Sequence, residues 1–301
     1  MRRAVGLSLA TFVFIAACAS PSTSPRSSSE SITVVATSTV FADLVRQVGG
    51  DKVVTRSLVP PGGELHTFDP APSDAAAVTN ARLLVMNGLG LDDWLLRFAQ
   101  QAGAVDIPVL KLAENIDEVE YIDDQHTGSQ NPHLWMNSAY AQIYVDRIRL
   151  KLVELDPAGQ STYDANAQAY DGKLAELETW ARQQMDSIPA DERRVLSSHD
   201  AFPYFARAYG LELIGIVVEV PGQDPSAADV AALENEIRHS NVKAILSEVQ
   251  FSDELVRSIA DDTGATLVSD LYTDSLGNPP IDTYEAALRH DVAQIVAALK
   301  Q

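Results

Sequence analysis

Three of the six histidines stand in loops where binding chemistry is usually done. His66 lies in PPGGELHTFDP, a Pro/Gly-rich loop after an apolar run, and His133 lies in NPHLWMN. His199 directly follows the apolar run Val195–Ser198. In open α/β sheets ligands bind beyond the carboxyl ends of strands, so loop histidines there are candidates. Asp274, in the polar loop SDLYTDSLGNPP, is a fourth, with Asp270 as its local rival and turn formation as the alternative role for both. Three imidazoles and one carboxylate from four separate loops suit a transition-metal site, because neutral imidazole is a good borderline ligand and a carboxylate compensates charge. His126, in DDQHTGSQ, reads as an exposed loop histidine. His239 ends a predicted helix, where a cation meets the C-terminal dipole, and His290 lies on the last predicted helix; neither is assigned a function.

Other chemistries find less support. There is no G-x-S-x-G, and Ser197-Ser198-His199 places serine and histidine next to one another on a strand, where their side chains diverge. No phosphate-binding glycine motif occurs; the nearest cluster, Asn87-Gly88-Leu89-Gly90, lacks a third glycine and any lysine. A metallohydrolase would need an open water position, which four protein ligands do not leave.

The loops must be held by elements, and two stretches alternate short apolar runs with amphipathic segments. In the first, Ile32–Ala36, Val53–Val59 and Leu83–Met86 read as strands, with helices over Phe41–Val48, Ser73–Thr79 and Asp92–Gln101. In the second, Val195–Ser198, Leu213–Val218, Ala244–Ser247 and Thr266–Val268 read as strands, with helices near 201–209, 226–239 and 253–263. Between them, Gly159–Ile188 carries Tyr163, Ala167, Tyr170, Leu174, Leu177, Ala181 and Met185 at spacings of three and four. The pattern predicts one helix of roughly 27 residues and about 40 Å, or two shorter helices broken at Gly172. The fold class expected is therefore α/β, two lobes of mostly parallel sheet covered by helices and joined by one long helix. The lobes are assigned to 32–137 and 190–301, with a helical segment at 138–189. A strut of this kind limits large hinge motion.

Composition agrees with a folded chain: of 301 residues 46% are hydrophobic, and 42 acidic residues face 22 basic ones for a formal charge of −20. Such a balance disfavours nucleic acid, whose binding depends on Lys and Arg displacing counterions. The N-terminus is of another kind. Arg2 and Arg3 precede an apolar run from Ala4 to Ala17 that reads as a signal peptide, residues 1–17, too short for a comfortable membrane span. It ends in Ile15-Ala16-Ala17-Cys18, which resembles a bacterial lipobox, so Cys18, the only cysteine, is the expected lipidation site and mature N-terminus. The Ser/Pro-rich stretch to residue 31 cannot bury enough surface to fold and reads as a tether. An extracytoplasmic body anchored to the membrane by lipid follows, since a diacylglycerol supplies two chains.

The ordered motifs resemble a known family, the metal-binding lipoproteins of bacterial ABC importers for zinc and manganese, also called adhesin-type solute-binding proteins. His66-Thr67-Phe68-Asp69-Pro70 is similar to its H-x-[YF]-[ED]-P, and Asn87-Gly88-Leu89-Gly90 with Trp94 to its NG-x-G-x-x-x-W. Asn131-Pro132-His133-Leu134-Trp135 is similar to DPH-x-W, and His199-Asp200-Ala201-Phe202 with Tyr204-Phe205 to H-x-A-[FY]-x-Y-[FL], followed by Tyr209-Gly210-Leu211. Pro225-Ser226-Ala227, Ser247-Glu248 and Thr273-Asp274-Ser275 fall in the expected order.

The resemblance implies a cleft between two lobes with the metal on His66, His133, His199 and Asp274, a membrane permease as partner, and a monomer. It departs at Asn131, where the family usually has Asp; an amide can still accept from a ring N–H. The stretch before His133, Glu114–Gln130, is shorter than the His-rich loop of many zinc-dedicated members and holds only His126. Three nitrogens and a carboxylate favour zinc, while a bidentate Asp274 would admit manganese, and iron is a further alternative. A surface adhesin is the rival outside the importer class. Because each imidazole must be neutral to bind, affinity is expected to fall below about pH 6.5, the free histidine value.

Overall fold

The computed structural model describes residues 31–124, 128–218, 223 and 225–300. The signal peptide, Cys18, the tether and His126 lie outside them. In chain order the regular elements are β1 (Ile32–Ala36), α1 (Thr39–Gly49), β2 (Val53–Ser57), α2 (Ala75–Thr79), β3 (Leu83–Met86), α3 (Trp94–Gln101) and β4 (Val109–Lys111). Two helices follow, α4 (Ser138–Leu155) and α5 (Gln160–Asp186). The remainder is β5 (Arg194–Ser197), α6 (Pro203–Tyr209), β6 (Glu212–Ile216), α7 (Ala227–Ser240), β7 (Ala244–Glu248), α8 (Glu254–Thr263), β8 (Thr266–Leu271) and α9 (Tyr284–Leu299).

The strands form two four-stranded sheets of the same topology, β2-β1-β3-β4 and β6-β5-β7-β8. Every pairing is parallel, as in Val34 opposite Leu83 and Val195 opposite Ala244. Parallel sheets are covered on both faces, and the central strands here are buried: all four residues of β3 and all five of β7, Ser247 and Glu248 included. Two expectations need correcting. Strand β4 was not anticipated, since three residues carry no readable periodicity. Helix α3 begins at Trp94 instead of Asp92, because the Asp92 carboxylate is spent on the preceding turn, accepting from Asn87 N at 2.7 Å and Gly88 N at 2.9 Å.

Helix α5 is continuous for 27 residues and buries the seven residues the spacing singled out. Gly172 sits on its exposed side, where glycine costs only about 1 kcal/mol. Leu174, Leu177 and Met185 are each worth about 1.5–3 kcal/mol when buried, which decides against a break. The helix packs on α1 and α4 of the first half and on α6 and α9 of the second. One core cluster accordingly runs from Ile32 to Leu299, and a second, smaller one lies among β6, β7, α7 and α8.

Candidate metal centre

Each candidate residue follows a strand or a turn that the strands hold. His66 lies beyond β2, in a turn organised by Glu64, whose carboxylate accepts from His66 N at 2.6 Å and Thr67 N at 2.7 Å. The next anchor is Trp94, whose indole donates to Leu65 O at 3.0 Å while its ring packs 5.2 Å from Phe68. The glycine-rich segment after β3 is thus a buttress. Its Asn87 accepts from Tyr144 Oη at 2.6 Å and donates to Pro132 O at 2.9 Å, fixing the residue before His133. Gly88 is required there: φ is +87°, and a Cβ would lie 2.7 Å from the Glu114 carboxylate.

His199 follows β5, and its Nδ1 faces Glu248 Oε1, at the end of β7, at 2.7 Å. Ser198 donates its hydroxyl to the other oxygen of the same carboxylate. Asp274 follows β8, but its loop is tied to the first half of the chain. Ser38 donates to Asp274 O, Ser275 to Gly63 O at 2.9 Å, and Leu276 N to Thr39 Oγ1 at 2.7 Å. The rival Asp270 is exposed, with φ of +64°.

The four candidates converge. Among the described residues, one ligand atom each from His66, His133, His199 and Asp274 all lie within 4.8 Å of one another. Nε2 of His66 and of His133 are 3.3 Å apart, and Asp274 oxygens lie 3.6 Å from each and 3.9 Å from His199 Nε2. Donors around a tetrahedral zinc with bonds of 2.0–2.1 Å sit about 3.3 Å apart, so the shortest edge already matches, while the others, none above 4.8 Å, would close by up to about 1.5 Å. His133, His199 and Asp274 are almost wholly buried. Both carboxylate oxygens of Asp274 and Nε2 of His199 have no hydrogen-bond partner among the described residues. Burying such groups unpaired costs free energy that a shared cation would offset.

Protonation follows from the surroundings. Burial lowers His66 to about 4, against the pull of Asp274, and burial with the neighbouring histidines takes His133 well below its usual value. His199 goes the other way. Burial lowers it, but Glu248 by charge and hydrogen bond, then Asp274 and Asp200, bring it up to about 9. Sequence reading did not assign Glu248 this part, although its place directly after an apolar strand run put it at the same sheet edge as His199 and Asp274.

Comparison with known proteins accords with this arrangement. The family model described as ZnuA, zinc-uptake complex component A, periplasmic, matches residues 34–298. Iron-binding protein YfeA of Yersinia pestis is 31% identical over 92% of this chain and 89% of its own length. Manganese-binding lipoprotein MntA of Halalkalibacterium halodurans is 29% identical over 95% of this chain and 94% of its own. The structure of the periplasmic zinc-binding protein TroA from Treponema pallidum superposes with a TM-score of 0.82 at 25% identity, covering 89% of this chain and 99% of that one. Two matched parallel sheets, loop residues gathered beyond their strand ends and a match over nearly the whole described length lead to one conclusion: the chain belongs to the ZnuA family.

Proposed function

We propose that the chain captures a divalent transition metal outside the cytoplasm, through His66, His133, His199 and Asp274, and hands it to the permease of an ABC importer. Membership in the family makes it a metal-binding substrate-binding protein of such an importer. The metal is cargo. The observation that carries the ligand assignment is the convergence of unpaired, buried polar atoms of Asp274 and His199 on the Nε2 atoms of His66 and His133.

Zinc is the favoured cargo in this reading. Three nitrogens and one carboxylate form a compact four-coordinate set, whereas manganese prefers more oxygen and a higher coordination number. Manganese is the second reading, because both Asp274 oxygens are free to bind and relatives are named for manganese and for iron. The protein would work as a monomer, its lobes at 32–137 and 190–301, its Cys18 lipidated and residues 19–31 serving as tether. The test is metal analysis of protein purified without added metal, beside the His66→Ala variant. Near-stoichiometric metal in the first and little in the second is expected; equal content in both would refute the ligand set.

A further inference from the structure

One buried amide joins a loop of the first half to a loop of the second. Asn131 Oδ1 accepts from His133 N at 3.0 Å and faces His133 Nδ1 at 3.1 Å, while Asn131 Nδ2 donates to Asp200 O at 2.8 Å and to Asp200 Oδ2 at 2.9 Å. This network fixes the amide's orientation, because the flipped form would set its oxygen against two acceptors. His133 Nδ1 must then carry the hydrogen, which leaves Nε2 with its lone pair free for a ligand bond. Asp200 is the chain neighbour of His199, so a continuous path runs from His133 through Asn131 and Asp200 to His199.

We propose that Asn131 and Asp200 form a positioning pair across the lobes, which sets the His133 tautomer and holds His133 in register with His199. The inference rests on the reading that these two histidines bind the cargo. It also accounts for the amide at position 131. A carboxylate there would stand 2.9 Å from the Asp200 carboxylate, so the negative charge near His133 sits at 200 in this chain. The two imidazoles are consequently backed differently: His199 by Glu248 directly, His133 by a neutral group that passes the influence of Asp200.

The experiment loads zinc into wild type, His133→Ala, Asn131→Ala and Asp200→Ala, and follows its release into excess chelator by stopped flow. Nitrogen chemical shifts of His133 in the metal-free proteins report its tautomer. Asn131→Ala should release zinc about 10-fold faster or more and show mixed tautomers, while Asp200→Ala, which keeps the main-chain acceptor of Asn131 Nδ2, should release faster than wild type with its tautomer unchanged. If either readout of Asn131→Ala matches wild type, the pair does not position His133. Should wild type and His133→Ala retain zinc equally, the ligand reading itself fails, which is a different result. A second comparison covers the case in which Asn131→Ala does not fold. Metal-free Asn131→Asp should melt below Asn131→Asp/Asp200→Asn, where the facing carboxylates are relieved; equal melting would overturn the pair.

Discussion

The indole of Trp135 donates to the carbonyl of Thr273 at 2.8 Å, joining a residue two past His133 to the residue before Asp274. Trp135 is held from the other side, since Tyr284 Oη donates to its own carbonyl at 2.6 Å. The Asp274 loop therefore follows a strand of the second sheet yet is fixed to the first half of the chain. Three candidate ligands, His66, His133 and Asp274, share one set of supports, and His199 is the one that arrives on β5 and Glu248.

Trp135→Phe removes that donor and leaves a buried carbonyl unpaired, a loss of about 1–3 kcal/mol. The expected outcome is a lower melting temperature together with faster zinc release, because the carbonyl freed is adjacent to a proposed ligand. Thermal melts and chelator-chase kinetics check it. A variant that loses stability but releases zinc at the wild-type rate would mean the loop is held without this bond.

The protonation states give a pH dependence that differs from the one expected of free histidine. In the metal-free protein His199 retains a proton up to about pH 9, while His66 is neutral above about 4 and His133 is neutral as well. On the proposed ligand set, metal must displace the His199 Nε2 proton. Affinity should therefore rise about tenfold per pH unit toward 9 and flatten above it, with about one proton released per metal at pH 7. Calorimetry in buffers of different ionisation enthalpy measures that proton. No release at pH 7, with affinity changing only below 6.5, would contradict the role given to Glu248.

Glu248→Gln isolates the same effect. The amide can still accept from His199 Nδ1 but no longer supplies the charge that raises it, so His199 should fall toward the depressed values of the other two. Above about pH 9 zinc affinity should drop by about 10- to 100-fold, the usual loss when an outer partner of a metal-bound histidine is changed; at pH 7 the relief of proton competition offsets that loss, and proton release there should vanish. Loss of affinity with proton release unchanged would place the displaced proton elsewhere.

Much of this arrangement was legible in the sequence because periodicity speaks for long or strongly apolar elements. The buried stripe of α5 was readable residue by residue, and the apolar runs of β1, β3, β5 and β7 put the loops after them at sheet edges. What could not be read depends on contacts between distant segments. Asp270 and Asp274 are equivalent as a string of turn residues; they differ because Trp135, Ser38 and Thr39 grip one side of the loop. Glu248 and Asp200 gain their roles only when β5 lies beside β7 and when Asn131 is brought from another loop. Strand β4 is too short to announce itself and is fixed by its pairing with β3.

Those cross-links also bear on motion. Besides α5 and the Asp274 loop, Tyr204 Oη on α6 accepts from Ile122 N and donates to Asn131 O, each at 3.0 Å, and Asp43 on α1 accepts from Tyr284 N, at the start of α9, at 2.8 Å. The halves are thus tied at several points around the site, and a continuous helix absorbs little change in φ and ψ. Metal capture should then be a local rearrangement around His199, with the lobes keeping their relation. Small-angle scattering curves of metal-free and zinc-loaded protein are expected to superimpose, while hydrogen exchange slows in the segments after β5, β7 and β8. A clear compaction on zinc binding would show that these ties break and reform in each cycle, and that α5 does not act as a strut.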